Sequence, residues 1–278
     1  MKLETDKLVH QTGVARGVEI MKNDFSDLLQ FAQETAFEAG RLTLGYFRTG
    51  IRPEFKEDDT PVTLADRKAE ELIRSRIERR FPSHRIIGEE FGEGGGESDA
   101  HRWYIDPIDG TKAFVRGVPL YGVLIGFELE GRIEAGACYF PALDEMVGAA
   151  CGKGCYLNGR RCRVSDVDRL DRSMVSFTNA ASFEKHDRAR EFQSILRACY
   201  HAVGWSDAYG HALVATGRIE VMLDPVMNAY DCGPFPVILR EAGGFFGDWS
   251  GNETIHAGEA MSTTQTLLPF VVETFAAD

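Results

Sequence analysis

A mixed α and β chain, arranged as a layered αβαβα sandwich, is what the sequence predicts. Three observations carry this expectation. Two long stretches repeat apolar residues at helical spacing, a run of short strands is punctuated by turn residues, and strands and helices alternate to the C-terminus. The pattern by itself supports mixed α and β; the layering of helices against strands suggests the five-layered form.

Residues 1–23 mix charges with short apolar stretches and lack the apolar core of a signal peptide. They read as a lead-in, a short helix or a tag remnant. From Asp24 the pattern becomes helical: Leu28, Leu29, Phe31, Ala32, Ala36, Ala39, Leu42 and Phe47 recur every three or four residues, and Gly50 and Pro53 end the helix. A second amphipathic helix is expected over 63–81, with Ala65, Ala69, Leu72, Ile73 and Ile77 on one face. Arg85-Ile86-Ile87 reads as a short strand delivering Gly88-Glu89-Glu90, and the Gly-rich, acidic residues 91–100 read as a mobile loop.

Trp103-Tyr104-Ile105 is another strand ending in acids. Residues 121–164 read as a β-meander, with turns at Glu130-Gly131, Pro141, Gly152-Lys153-Gly154 and Asn158-Gly159. Beyond Ser165 the expectations are a strand over 174–177, helices over 189–199 and 207–216, a strand over 220–223, and a helix from Asp231 to Gly243-Gly244. Without a Pro/Ser-rich linker, an N-terminal part (24–164) and a C-terminal part (165–278) are expected to pack together and share a site.

Composition narrows the function classes. The 31 basic and 43 acidic residues give a net charge of -12, which argues against a nucleic-acid or anionic-membrane surface. An anionic substrate remains compatible if divalent cations reverse the local field. The six cysteines form no CxxC pair, so neither a disulfide framework nor a zinc site is expected; reduced thiols in a cytoplasmic setting are. No apolar run is long enough for a membrane span.

Carboxylates gather at element ends: Glu89-Glu90, Asp106 with Asp109, Asp231 and Asp66. A hard cation such as magnesium takes carboxylate, carbonyl and water oxygens. In Asp106-Pro107-Ile108-Asp109-Gly110-Thr111 the turn can bring both acids and the Ile108 carbonyl towards one point, and Gly110 permits close backbone approach to a ligand. A helix starting at Thr111 would offer free amides to a phosphate. Structural roles compete: Asp66 with Thr63 can form a capping box, Asp231 can cap a helix, Glu90 can belong to a solvated loop, and Lys56 can be a surface lysine.

Gly88-Glu89-Glu90, then Trp103 to Phe114, then Asp231 ahead of Glu241-Ala-Gly-Gly244 resemble, in order and separation, the inositol monophosphatase family over roughly residues 24–275. The resemblance implies the αβαβα fold shared with fructose-1,6-bisphosphatase and a Mg2+-dependent phosphomonoesterase with two or three metal ions per site. By residue, it implies Glu89, Asp106, the Ile108 carbonyl, Asp109 and Asp231 as metal ligands. Thr111 and Asp66 would orient the nucleophilic water, and Glu90 would assist as an outer carboxylate. Gly110 and Thr111 would contact the phosphate, with Lys56 near the site. A homodimer is implied as well.

The segments Arg116 to Gly122, Pro141 to Met146, Gly204 to Gly210 and Asp224 to Asn228 are more similar to the histidinol-phosphate phosphatase branch than to the inositol enzymes. L-Histidinol phosphate carries a cationic amine and an imidazole, for which Asp207 and Asp224 are the candidate contacts. Asp224 could instead simply end a strand before Pro225. Inositol-1-phosphate, another small phosphate, or a non-catalytic dimer are the alternatives. The chain departs from the family pattern in Tyr230-Asp231-Cys232-Gly233-Pro234-Phe235-Pro236, where two prolines closely follow the last ligand. Only the first turn of a helix tolerates them.

Overall fold

The computed structural model describes residues 24–56 and 60–276; the expected lead-in over 1–23 lies outside the described residues. Helix α1 (Ser26–Leu44) is followed by the two-residue strands β1 (Glu54–Phe55) and β2 (Pro61–Val62), helix α2 (Leu64–Arg80), and strands β3 (His84–Gly88), β4 (Gly92–Gly95) and β5 (Ser98–Asp109). Helix α3 (Thr111–Val115) leads into a meander of β6 (Gly122–Leu129), β7 (Arg132–Phe140), β8 (Glu145–Ala150), β9 (Gly154–Leu157) and β10 (Arg160–Cys162). The C-terminal part holds β11 (Met174–Phe177), α4 (Ala180–Lys185), α5 (Ala189–Ala198), β12 (His201–Val203), α6 (Asp207–Ala215) and β13 (Val221–Asp224). It ends with α7 (Ala229–Cys232), α8 (Phe235–Ala242), β14 (Gly244–Gly247), β15 (Ala260–Thr264) and α9 (Leu268–Ala276).

Strands β10-β9-β8-β7-β6-β5-β3-β4 form an eight-stranded sheet and β12-β11-β13-β15-β14 a five-stranded one. On the first sheet, side chains alternate between two buried faces. Trp103, Ile105, Val123, Ile125 and Phe127 meet Ala32, Ala36 and Ala39 of α1 and Ala69, Ile73 and Ile77 of α2. Tyr104, Leu124, Cys138 and Phe140 point the other way, onto Ala212 of α6 and Phe235 and Leu239 of α8. The second sheet closes over the far side of α6 and α8 through Met222 and Phe246. Its other face carries Val175, Val221, Leu223 and Met261 against Phe192 and Ile195 of α5 and Val271 and Phe275 of α9. The layers are therefore α1/α2, sheet, α6/α8, sheet, α5/α9, the αβαβα arrangement. Small residues set the spacing of the first layer: a Cβ on Gly40 would lie 2.5 Å from the Tyr139 ring.

The structure differs from the sequence expectation in two places that matter for the site. Residues 91–100 are not a loop: β4 pairs antiparallel with β3, Gly88 opposite Gly92 and Arg85 opposite Gly95. Glycine allows the approach, since a Cβ on Gly95 would lie 2.8 Å from the His84 carbonyl, and the Arg85–Glu93 ion pair at 2.6 Å fastens it. The helix expected from Asp231 is two helices. Asp231 sits in the third position of α7, the chain breaks at Gly233-Pro234, and α8 restarts with Pro236 in its first turn. The break presses the backbone onto β6, where a Cβ on Gly126 would stand 2.2 Å from the Gly233 carbonyl oxygen.

Candidate metal centre

The acidic turn is built where β5 leaves its sheet. Asp106 pairs with Leu124 but Asp109 pairs with Gly122, so the extra residue forms a β-bulge between them. Pro107 occupies the bulge, where no ladder amide is needed, and the Ile108 amide donates to Asp106 Oδ1 at 2.9 Å. Gly110 then takes a left-handed conformation (φ +80°), which glycine adopts without strain, and starts α3 at Thr111. Asp109 Oδ2 accepts the Ala208 amide at the start of α6, 2.7 Å away, tying the first sheet to the middle helical layer. Asp231 is aimed by a capping box: its Oδ2 accepts from the Asn228 amide at 2.7 Å and from Asn228 Nδ2 at 3.2 Å.

Asp106, Asp109 and Asp231 thereby present ligand atoms within 4.8 Å of one another. Burial first, then the charges of neighbouring acids (Glu89, Asp109 and Asp231), pushes Asp106 well above the usual carboxylate range. Asp109 is raised likewise by burial, Asp207 and Asp231. Asp231 is pushed up to about 7 by burial and Glu89. Three clustered acids, Asp106 buried and Asp109 and Asp231 half-buried, all raised by burial and by neighbouring acids, favour positive charge, and an oxygen-only donor set suits a hard divalent cation. Burial raises the thiols of Cys138 and Cys232 as well, and neither belongs to the three-aspartate group. The acidic cluster can therefore hold a metal ion. The Ile108 carbonyl lies beside it and accepts from Thr111 Oγ1 at 3.1 Å.

Glu89 stands outside the three-aspartate group. Lys56 Nζ bridges it and Glu90, at 2.8 and 2.9 Å. The ammonium is raised above its ordinary value: burial opposes this, but the hydrogen bonds and charges of the two glutamates outweigh it. Burial pushes Glu90 up to about 7 in spite of Lys56. Asp66 serves both readings of it. Its Oδ2 accepts from the Thr63 amide at 2.8 Å, closing the capping box of α2, while Oδ1 accepts from Thr111 Oγ1 at 3.3 Å. Burial raises it to about 6.

A cavity of about 580 Å3 unites most of these residues: Lys56, Glu89, Asp106, Ile108, Asp109, Gly110, Thr111, Asp207, Asp224 and Asp231 all line it. Glu90 and Asp66 are not among its lining residues and reach the site through Lys56 and Thr111. Asp224 does end β13, yet its carboxylate faces the cavity, accepting from Thr178 Oγ1 and from the Val226 amide at 3.2 Å. Burial, the main cause, and Asp207 raise it to about 8. Asp207 accepts from Ser206, and both residues hold positive φ (22° and 53°), a strained entry to α6.

The sequence reading missed one wall of this cavity. Thr178, Asn179, Ser182, Lys185 and His186 come from α4 and its flanks. The available signal was Asn179, whose side chain accepts the Ala181 amide at 3.1 Å as an N-cap.

Known proteins fit this geometry. The inositol monophosphatase family pattern matches residues 24–275. A histidinol-phosphatase of Chlorobaculum parvum is 44% identical over 240 residues, covering 84% of this chain and 90% of the relative. An inositol-1-monophosphatase of Mesorhizobium japonicum is 33% identical over 235 residues, 82% and 88% of the two chains. Among solved structures, the extragenic suppressor protein suhB of Bartonella henselae superposes with a TM-score of 0.84 at 27% identity, covering 90% of this chain and 99% of that one. With the acidic cluster and the five layers already in place, the chain belongs to the inositol monophosphatase family.

Proposed function

We propose that the protein is a Mg2+-dependent phosphomonoesterase that hydrolyses L-histidinol phosphate to L-histidinol and phosphate, a step of histidine biosynthesis. The observation that carries the chemistry is the meeting of Asp106, Asp109 and Asp231 in one cavity with Thr111, whose hydroxyl is bonded to Asp66. The three aspartates, the Ile108 carbonyl and Glu89 would hold the ions, two or three in number. When bound, such ions neutralise the phosphate and acidify a water molecule. Thr111 would orient that water by hydrogen bonding, and Asp66, bonded to Thr111 Oγ1, would accept the proton passed through that hydroxyl. Gly110 and Thr111 line the wall against which the phosphate rests. Glu90 and Lys56 hold Glu89 in place through the ion pairs at 2.8 and 2.9 Å.

The substrate reading is supported by the relative from C. parvum and by Asp207 and Asp224 in the same cavity. Asp224, buried, and Asp207, half-buried, are both raised above their ordinary range and favour an ammonium, which lets both ionise. The family reading extends to a cytoplasmic homodimer. No helix among the described residues is long and apolar enough to cross a membrane. Phosphate release with Mg2+, compared between L-histidinol phosphate and inositol-1-phosphate, tests the proposal. A clear preference for inositol-1-phosphate overturns the substrate, and full activity after removal of divalent ions overturns the metal.

A further inference from the structure

Helix α2 carries a buried charge that its packing does not require. Ala65, Ala69, Ile73 and Ile77 already seat it on the sheet, yet Glu70 is 0% exposed. Its carboxylate points at the turn bearing Glu89 and Glu90. Oε2 accepts the Glu90 amide at 2.7 Å, and Oε1 accepts the Phe91 amide at 3.2 Å and Arg74 Nε at 2.8 Å. Arg74 reaches on with Nη2 to the Gly92 carbonyl. Gly88 leaves room for the carboxylate: a Cβ there would lie 2.2 Å from Glu70 Oε1. Glu70 and Arg74, one and two turns beyond Asp66, thus grip the backbone at Glu90, Phe91 and Gly92, directly after Glu89. A buried carboxylate is costly, and fixing one geometry is the role such a group performs best.

We propose that Glu70, backed by Arg74, is a positioning residue that sets Glu89 and Glu90 for the metal ions; this rests on the metal-dependent reading above. It touches neither ion nor substrate. Because it acts on a ligand's aim, its loss alters metal affinity before it alters turnover.

The test uses Glu70→Gln in the full chain. Glutamine keeps the size but turns an NH2 group towards an amide that needs an acceptor. Mg2+ alone is titrated calorimetrically, and the Mg2+ concentration giving half-maximal phosphate release is measured beside kcat and KM. The expected result is Mg2+ affinity weakened about 10–100-fold, with kcat at saturating Mg2+ and substrate KM retained to within about threefold. Ile195→Val, a core change in the outermost layer, serves as a destabilised control and should leave the Mg2+ requirement unchanged. If Glu70→Gln does not fold, Arg74→Lys replaces it. Lysine keeps a cation beside Glu70 but cannot also span to the Gly92 carbonyl, so Mg2+ affinity should fall in the same direction by about 3–10-fold. Wild-type Mg2+ affinity in a folded variant overturns the clamp alone. A wild type that neither binds Mg2+ nor hydrolyses overturns the metal reading and the clamp with it.

Discussion

His211 should make the stability of this protein fall towards acid pH. The side chain is wholly buried in α6, tilted against Phe235 at 4.9 Å and edge-on to Phe246 at 5.4 Å. Nδ1 bonds the Ser262 hydroxyl at 2.8 Å, while Nε2 meets no partner among the described residues. Burial alone pulls its pKa from 6.5 down to about 3. A lowered histidine pKa means that the unfolded chain binds the proton and the folded chain does not. Its contribution is therefore fully present above pH 6.5 and is lost as pH falls through the interval down to about 3. A shift of 6.5 − 3 = 3.5 would be worth about 5 kcal/mol in the limit, of which about 2 kcal/mol disappears between pH 7 and pH 5. Raised carboxylates at the metal centre act in the opposite sense, so the measurement is a difference. Urea unfolding of wild type and His211→Leu is followed at pH 7, 6 and 5 with chelator present. The gap between the two should shrink, or reverse, by about 2 kcal/mol over that range. A gap constant to within about 0.5 kcal/mol would refute the neutral, dry imidazole.

Two further variants test the site and its support. Asp106→Asn should lower turnover by more than about 100-fold, as removing a ligand costs at least what losing its outer partners does. In chelator the same variant should melt higher than wild type near pH 7, because the folded chain holds Asp106 above its ordinary range and so is destabilised there by its charge; calorimetry without metal checks this. Gly126→Ala should cost about 1–3 kcal/mol by denaturation, since the new methyl would meet the Gly233 carbonyl. It should also weaken Mg2+ binding by displacing Asp231, while unchanged stability would deny that contact.

Much of the site was legible because its chemistry is written in contiguous words. Asp106 to Thr111 reads directly as a turn, Gly88-Glu89-Glu90 as the end of a strand, and Thr63 with Asp66 as a helix start, and each stands where its spacing implied. The strand over 92–95 was hidden because three of its four residues are glycine; it exists through backbone pairing with β3, not through any side-chain pattern. The break at Gly233-Pro234 was half visible, as prolines forbid a smooth helix, but its close contact with Gly126, remote in sequence, was not. Glu70 could not be read at all. A glutamate four residues after Asp66 on a helix is ordinarily solvated, and only the fold of β3 and β4 over it turns it inward.

The hydrogen bond from the Ala208 amide to Asp109 has a consequence for how the protein matures. Asp106 and Asp109 leave the ribosome before every strand of the second sheet, and Asp231 emerges among those strands, after β13 and before β14. A chain that stops short of Asp231 holds Asp106 and Asp109 but lacks the third aspartate of the cluster, so the proposed metal centre would be incomplete. On the proposed reading, an ion bound by Asp106, Asp109 and Asp231 would hold together segments that were made apart.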